Sequence, residues 1–294
     1  MPTLLPGELD LKTTPIWRSV TAVHRDLCGS SVWGLDVAEE TALAVGYNSV
    51  PHAVMMGTPL DLEDFALGFS IAEGIARSAS DLKSITVTPR DDGIAIEISL
   101  MPDALHHFLA RRRVRSLRGH TSCGICGVED LDALTAPVTS PLRAARPIEH
   151  NVLHNVLDRL RGLQPLSART HGAHAAAWVD FTGSLLLVRE DIGRHNALDK
   201  LVGAALRAGT DFGNGFCLIT SRCSYEMAQK AITAGIPALV AISAPTALAI
   251  RTAQAASLTL LTLDRSGGFL VYAAPDVADA TIPMEHADDQ PAQS

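Results

Sequence analysis

The sequence has no uninterrupted apolar run of the ~18 to 20 residues that a membrane-spanning helix requires, and its first residues do not pair a basic region with an apolar core as a secretory leader would. A chain kept in the cytosol and off the membrane is the expectation. Cysteine is scarce as well: Cys28, Cys123, Cys126, Cys217 and Cys223 are the full set of five in 294 residues. An odd number in a chain this long makes a poor disulfide framework and fits a reducing compartment, so a cysteine with a role here is reactive or metal-bound. Positive charge is in deficit, 24 Lys and Arg against 32 Asp and Glu for a net charge of -8, which argues against nucleic-acid binding by the whole molecule. No internal repeat of fixed period is present.

What is there suits a globular protein. Hydrophobic residues make up 47% and charged residues 19%, and the length favours two modest domains or one with an extension. Residues 1–35 read as an N-terminal extension, partly disordered, and 276–294 as a flexible acidic tail. Residues 36–118 read as a small α+β domain. Its pattern is two strands around Asn48 and Ser49, a helix capped by Asp61 or Thr58 with Phe65, Phe69, Ala72 and Ala76 on one face, two more strands, and a helix over 103–117 with Leu105, Phe108 and Leu109 inward and its arginines outward. Residues 119–148 break all periodicity and read as a mobile loop. From 149 to 275 helices and apolar strands alternate, which predicts a three-layer α/β/α domain on a mostly parallel sheet covered on both faces.

The strongest local signal is Cys123-Gly-Ile-Cys126 within TSCGICG. Flanking glycines free the backbone to present the sulfurs, and His120 with Arg111, Arg112, Arg113, Arg115 and Arg118 favours thiolate over thiol. Half of a zinc site, a thiol-disulfide pair, a persulfide carrier and a structural accident all fit a lone CxxC. Zinc needs about four ligands and there is no second CxxC, although His171 and His174 could complete a set. A redox pair belongs at a helix start after a strand, whereas this one lies in a loop. The arginine run also has a plain reading as a solvated helix face.

A second constellation lies at strand ends of the predicted α/β domain. Glu190-Asp-Ile-Gly-Arg-His-Asn follows one strand, placing Asp191, Arg194 and His195 at a helix start. Ser221 and Arg222 follow the next strand, Ser243 the one after, and Asp264-Arg265-Ser266-Gly267-Gly268 the last. Ligands of open α/β sheets bind at the carboxyl ends of strands, so these loops can share one crevice. The plain alternative has Glu190 and Asp191 capping the helix and Asp199 pairing with Arg194 or His195. His174 stands where a zinc deaminase has its H-x-E motif, but Ala176 replaces the glutamate and no P-C-x-x-C follows, so hydrolytic deamination lacks its proton shuttle. Cys217 reads as a core residue.

These blocks together, VAEETALAVGYN, VMMGTPLDLEDFALGFSIAEGI, TSCGICG, RTHGAHAAAW, EDIGRHNALDKLVG, SRCSYEMAQKAITAGIPALVAISAPTALA and LTLLTLDRSGGFLVY, resemble the formate dehydrogenase accessory sulfurtransferases, the FdhD family, over residues 36 to 273. The resemblance implies a cytidine-deaminase-like α/β/α domain without deaminase chemistry, a smaller companion domain and a homodimer. It implies that Cys123 takes sulfur as a persulfide from a cysteine desulfurase, with Cys126 assisting. The sulfur then passes to the bis-guanine-dinucleotide molybdenum cofactor before its insertion into formate dehydrogenase, with no metal of the chain's own. The stretch Leu263 to Gly268 matches the one that the family uses for that cofactor, a GDP-like ligand; Leu263 and Gly268 depart from the aromatic and basic residues that can occur there. Asp191 or Asp264 could accept from a guanine edge, and Arg194 or Arg222 could meet phosphate. A non-catalytic cofactor-binding chaperone, its CxxC structural or zinc-bound, is the alternative.

Overall fold

The computed structural model describes residues 15–27, 29–116, 142–264 and 268–274. The CxxC segment with Cys123 and Cys126, and the ends of the chain, fall outside the described residues. Among the described residues no helix is long and apolar enough to cross a membrane.

The chain opens with a ribbon in the stretch read as an extension. Strand β1 (Trp17–Asp26) pairs antiparallel with β2 (Gly29–Ala38), forming a two-stranded sheet of their own. Its sequence escaped the reading because both faces are largely exposed, so the alternation that marks a half-buried strand is absent.

The next four strands are β3 (Thr41–Tyr47), β4 (Val50–Gly57), β5 (Leu82–Arg90) and β6 (Gly93–Leu100), in the order β4-β3-β6-β5. Helix α1 (Leu62–Ala72) follows β4 and α2 (Pro102–Ser116) follows β6. The one-sided face expected for α1 is not observed. Phe65, Ala66 and Phe69 join the small sheet's core, while Leu67 and Ile71 join the larger core behind, so the helix is buried all round. Nor does a side chain cap it: Asp61, at the N-cap with φ 53°, makes no cap hydrogen bond and lies 3.4 Å from Arg189 instead. In α2 Phe108 is buried as expected, but Leu109 is exposed.

The second half begins with α3 (His150–Arg161) and the short α4 (Pro165–Thr170), the latter not foreseen. There follow β7 (His174–Asp180), β8 (Leu185–Asp191), α5 (Arg194–Arg207), β9 (Gly215–Arg222), α6 (Tyr225–Thr233), β10 (Ala238–Ser243), α7 (Ala247–Ala256), β11 (Thr259–Leu263) and β12 (Phe269–Ala273). The sheet order is β12-β11-β10-β9-β7-β8. Three α/β/α layers are present, with α5, α6 and α7 over one face and α3 over the other. The sheet is mixed rather than mostly parallel. Only β9, β10 and β11 run parallel, joined by crossover helices, while β7, β8 and β12 pair antiparallel because short turns reverse the chain around them.

The two halves meet where α1 crosses α5. A Cβ added to Gly68 would lie 1.7 Å from the Asp199 carbonyl oxygen, and one on Gly203 would lie 1.9 Å from that of Asp64. The helices therefore touch backbone to backbone, each glycine making room for the other chain segment. Salt bridges flank the crossing: Asp64 meets Arg189 at 2.8 Å and Arg207 at 2.9 Å.

Candidate functional site

Strand direction decides where the polar groups gather. Because β9, β10 and β11 are parallel, their carboxyl ends at Arg222, Ser243 and Leu263 lie along one edge, with Arg222 the register partner of Ser243. Strand β7 runs the other way, so its first residue, His174, reaches the same edge. Its partner there is Asp191, the last residue of β8. Residues scattered over 90 positions of sequence are thus brought into one row, as the strand-end reading expected for all of them but His174.

From this row three helices depart. Helix α5 starts after Gly193, α6 after Ser224 and α7 after Thr246. The Thr246 hydroxyl accepts the Ala249 N–H at 3.2 Å, whereas neither Gly193 nor Ser224 supplies a cap and the buried Ser224 Oγ has no partner among the described residues. The first turn of a helix carries unspent N–H groups and the positive end of its dipole. Three such ends, with exposed Arg222 and half-buried Arg194 beside them, make an edge suited to phosphate groups.

Asp191 has a different place from the one expected. Its side chain is fully buried and spent: Lys200 Nζ lies 2.7 Å away, and the carboxylate accepts from the N–H groups of Thr58 at 3.0 Å and Gly193 at 2.7 Å and from Asn196 Nδ2 at 3.1 Å. A carboxylate holding four donors has nothing left for a guanine edge; Asp191 instead fixes the turn into α5. Lys200, equally buried, also donates to the Thr58 carbonyl at 2.9 Å. Burial pushes the Lys200 pKa down, against the pull of Asp191. Thr58 is therefore no helix cap. It bridges β4 to the site, its hydroxyl accepting the Ile192 N–H at 3.1 Å. The partnership of Thr58, Asn196 and Lys200 with Asp191 was not legible in the sequence, because a lysine in a helix gives no local sign that its partner is a buried carboxylate on a strand.

Two further expectations change. Glu190 caps α4 rather than α5, accepting from Leu166 N–H at 2.9 Å and Ser167 N–H at 2.8 Å. Burial raises its pKa, opposed by those two bonds. Asp199 pairs with Lys230 at 2.9 Å rather than with Arg194 or His195, and Lys230 also binds Glu73 at 3.0 Å.

His174 and His195 both face cationic company. Burial and then Arg194 lower the His174 pKa. Burial, then Arg194 and Lys230, drive that of His195 to about 4, although its Nε2 lies 2.9 Å from Glu226 Oε2, a contact whose geometry is not that of a hydrogen bond. Unfolded histidine titrates near 6.5, so between pH 6.5 and 4 the unfolded chain binds a proton that the folded one refuses. Stability then falls as pH drops through that window. The full shift corresponds to roughly 3 kcal/mol, and with Glu226 available to the protonated ring we expect about 2. Urea denaturation from pH 7 to 4.5 should show a shallower loss for His195→Gln than for the parent, and parallel curves would refute the assignment.

Of the remaining expected residues, Ser221 is buried and bonds the Arg222 carbonyl at 3.1 Å, while Leu263 is half-buried. Asp264 is exposed, its N–H bonding the Gly268 carbonyl at 2.9 Å across the β11–β12 turn. Arg265, Ser266 and Gly267 lie outside the described residues. Cys217 and Cys223 are fully buried in the core, where burial raises both thiol pKa values, that of Cys223 to about 12.

Residues 38–278 match the FdhD/NarQ family. The chain is 47% identical over 277 residues to the "Sulfur carrier protein FdhD" of Xanthomonas euvesicatoria pv. vesicatoria (strain 85-10), covering 92% of this chain and 98% of that protein. It is 46% identical over 262 residues to the protein of the same name from Cupriavidus necator, covering 89% and 90%. The crystal structure of a candidate formate dehydrogenase accessory protein from Desulfotalea psychrophila superposes with a TM-score of 0.70 at 23% identity, over 89% of this chain and 99% of that one, and so shares its fold. With one family matched across most of its length and near-half identity to full-length relatives, the chain belongs to the FdhD/NarQ family.

Proposed function

We propose that the chain is a sulfur carrier for formate dehydrogenase, loading sulfur on Cys123 and delivering it to a guanine-dinucleotide molybdenum cofactor held along the strand-end edge. The observation that carries this reading is a division of labour. The edge offers helix N-termini and arginines for phosphates, while Cys217 and Cys223 are buried and held as thiols, so that of the five cysteines Cys28, Cys123 and Cys126 remain for sulfur chemistry and only the last two form a CxxC pair.

In the loading step the Cys123 thiolate attacks the outer sulfur of a cysteine desulfurase persulfide. The old S–S bond breaks and its electron pair leaves with the donor's thiolate. In delivery, Cys126 attacks the inner sulfur of the Cys123 persulfide. A Cys123–Cys126 disulfide forms, and the outer sulfur departs with two electrons as sulfide for the cofactor. Arg194 and Arg222 hold phosphates of that substrate, and Asp264, exposed at the end of β11, accepts from a guanine. A homodimer in the cytoplasm, meeting desulfurase and formate dehydrogenase in turn, completes the reading.

Incubation with a cysteine desulfurase and cysteine should raise the intact mass by ~32 Da, revert with dithiothreitol, and fail in Cys123→Ala. A parent protein that never gains the adduct and instead holds stoichiometric zinc would make it a cofactor-binding chaperone.

A further inference from the structure

The β1–β2 ribbon is fastened at its foot and uncovered along its length. Asp36 accepts from Arg169 Nε at 2.8 Å, the same guanidinium lies 3.3 Å from the centre of the Trp17 ring, and Arg18 pairs with Glu39. Only Glu39 and Glu40 join β2 to β3, which leaves the ribbon little freedom to swing. Among the described residues its main packing partner outside itself is α4.

Opposite residues of an antiparallel pair share a face, so the register sorts the side chains. One face carries Trp17, Ser19, Asp36 and Ala38 and is engaged at its foot by the Arg169 latch. The other carries Val20 opposite Leu35, Ala22 opposite Trp33, and Val37. On that face Trp33 is 48% exposed, Leu35 44% and Val37 37%, although aromatic and branched side chains are those a sheet ordinarily covers. Trp33 is also held in place. His24 stacks on it with ring centres 4.5 Å apart and planes 13° from parallel, and its indole N–H donates to Ser31 Oγ at 2.9 Å. A tryptophan already fixed in one rotamer loses little entropy on contact, which suits the anchor of a protein interface.

Area separates a permanent partner from a passing one. Strands of ten residues at ~3.3 Å per residue, two strands ~4.8 Å apart, give this face roughly 300 Å². A stable dimer buries ~800 Å² on each partner, whereas a total below ~1,200 Å² belongs to transient encounters. The face therefore fits a protein that arrives and leaves better than a second copy held throughout. Its position indicates which protein. Val37 and Ala38 line one cleft with Ile192 and Gly193, at the turn where α5 leaves the strand-end edge, so a protein collecting a cofactor from that edge comes alongside the ribbon.

Resting on the sulfur-carrier reading above, we propose that the Trp33 face of the ribbon docks the enzyme that receives the cofactor. The partner lays an apolar patch against Trp33, Leu35 and Val37, while the Arg169 latch holds the ribbon at the angle that brings the partner to the edge. Contact breaks once the cofactor has moved, which a face this small allows.

The test measures binding of the full chain to a cofactor-free formate dehydrogenase by biolayer interferometry. The parent should bind with a micromolar Kd. Trp33→Thr/Leu35→Thr keeps strand propensity while removing the apolar contact, and should weaken binding by at least ~10-fold. It should retain the parent's thermal midpoint and sedimentation coefficient, because neither side chain belongs to a core. Val54→Thr, at an exposed apolar residue of β4, should bind as the parent does. A parent without measurable binding, or a Trp33→Thr/Leu35→Thr chain that binds within twofold of it, would overturn the proposal. A sedimentation coefficient that drops in this variant would do the same, since the face would then belong to a second copy. The sulfur adduct on Cys123 is read on the same samples: docking lost with the adduct retained supports the ribbon's role, and docking intact in a parent that never gains the adduct would sink the sulfur-carrier reading alone.

Discussion

Gly68→Ala should be the most damaging single-methyl change in this protein. The new carbon would sit 1.7 Å from the Asp199 carbonyl oxygen, far inside van der Waals contact, and the atom it meets is helix backbone that cannot rotate away. Helices α1 and α5 would have to part, opening both cores that share α1. We expect a loss above about 4 kcal/mol, the range of severe core overpacking and cavity formation, with a fall in thermal midpoint above about 10 °C or recovery only in inclusion bodies. Gly203→Ala should behave alike, since its Cβ would lie 1.9 Å from the Asp64 carbonyl. Gly162→Ala is the control: its nearest neighbour would be 3.5 Å away, an ordinary contact, and the change should stay within about 0.5 kcal/mol. A Gly68→Ala protein melting within about 2 °C of the parent would show that the crossing is looser than described.

Lys200→Met should cost about 3 to 5 kcal/mol, because it strands the Asp191 carboxylate without its cation at zero exposure. The effect should reach the site as well. Asp191 ties the N–H of Thr58, before α1, to the N–H of Gly193 at the entry to α5, so its protonation or displacement frees the turn from which α5 leaves the strand-end edge. Chemical denaturation measures the first effect and GDP titration the second, where we expect weakening of ~10-fold or more. The double variant Asp191→Asn/Lys200→Met removes both charges and should recover at least ~1 kcal/mol over the sum of the two single losses. Strict additivity would mean that the two side chains do not act as a pair.

Much of this architecture was legible locally. The helices at 150–161, 194–207, 225–233 and 247–256 and the strands between them follow from periodicity and short polar breaks. The convergence of Arg222, Ser243 and Asp264, though not of His174 at the start of an antiparallel strand, followed from the rule that parallel strands gather their carboxyl ends. It held because β9, β10 and β11 are parallel, even though the rest of the sheet is not. The ribbon at 17–38 was missed because it lacks a buried face, and the one-sided burial expected of α1 was wrong because the helix serves two cores.

By itself the sequence determined most of the segments that become helix or strand, the ribbon at 17–38 and the short α4 excepted, and it marked TSCGICG and the strand-end loops as chemistry-bearing, because propensity, periodicity and motif spacing act over neighbouring residues. Only the tertiary structure decided which charges pair. Asp191 took Lys200, Asp199 took Lys230, and Glu190 took the start of α4, leaving Glu40, Arg194 and Arg222 to face outward. The physical reason is that a charge buried away from water must find its opposite wherever the packing of distant segments puts it, and a one-dimensional pattern carries no record of that distance.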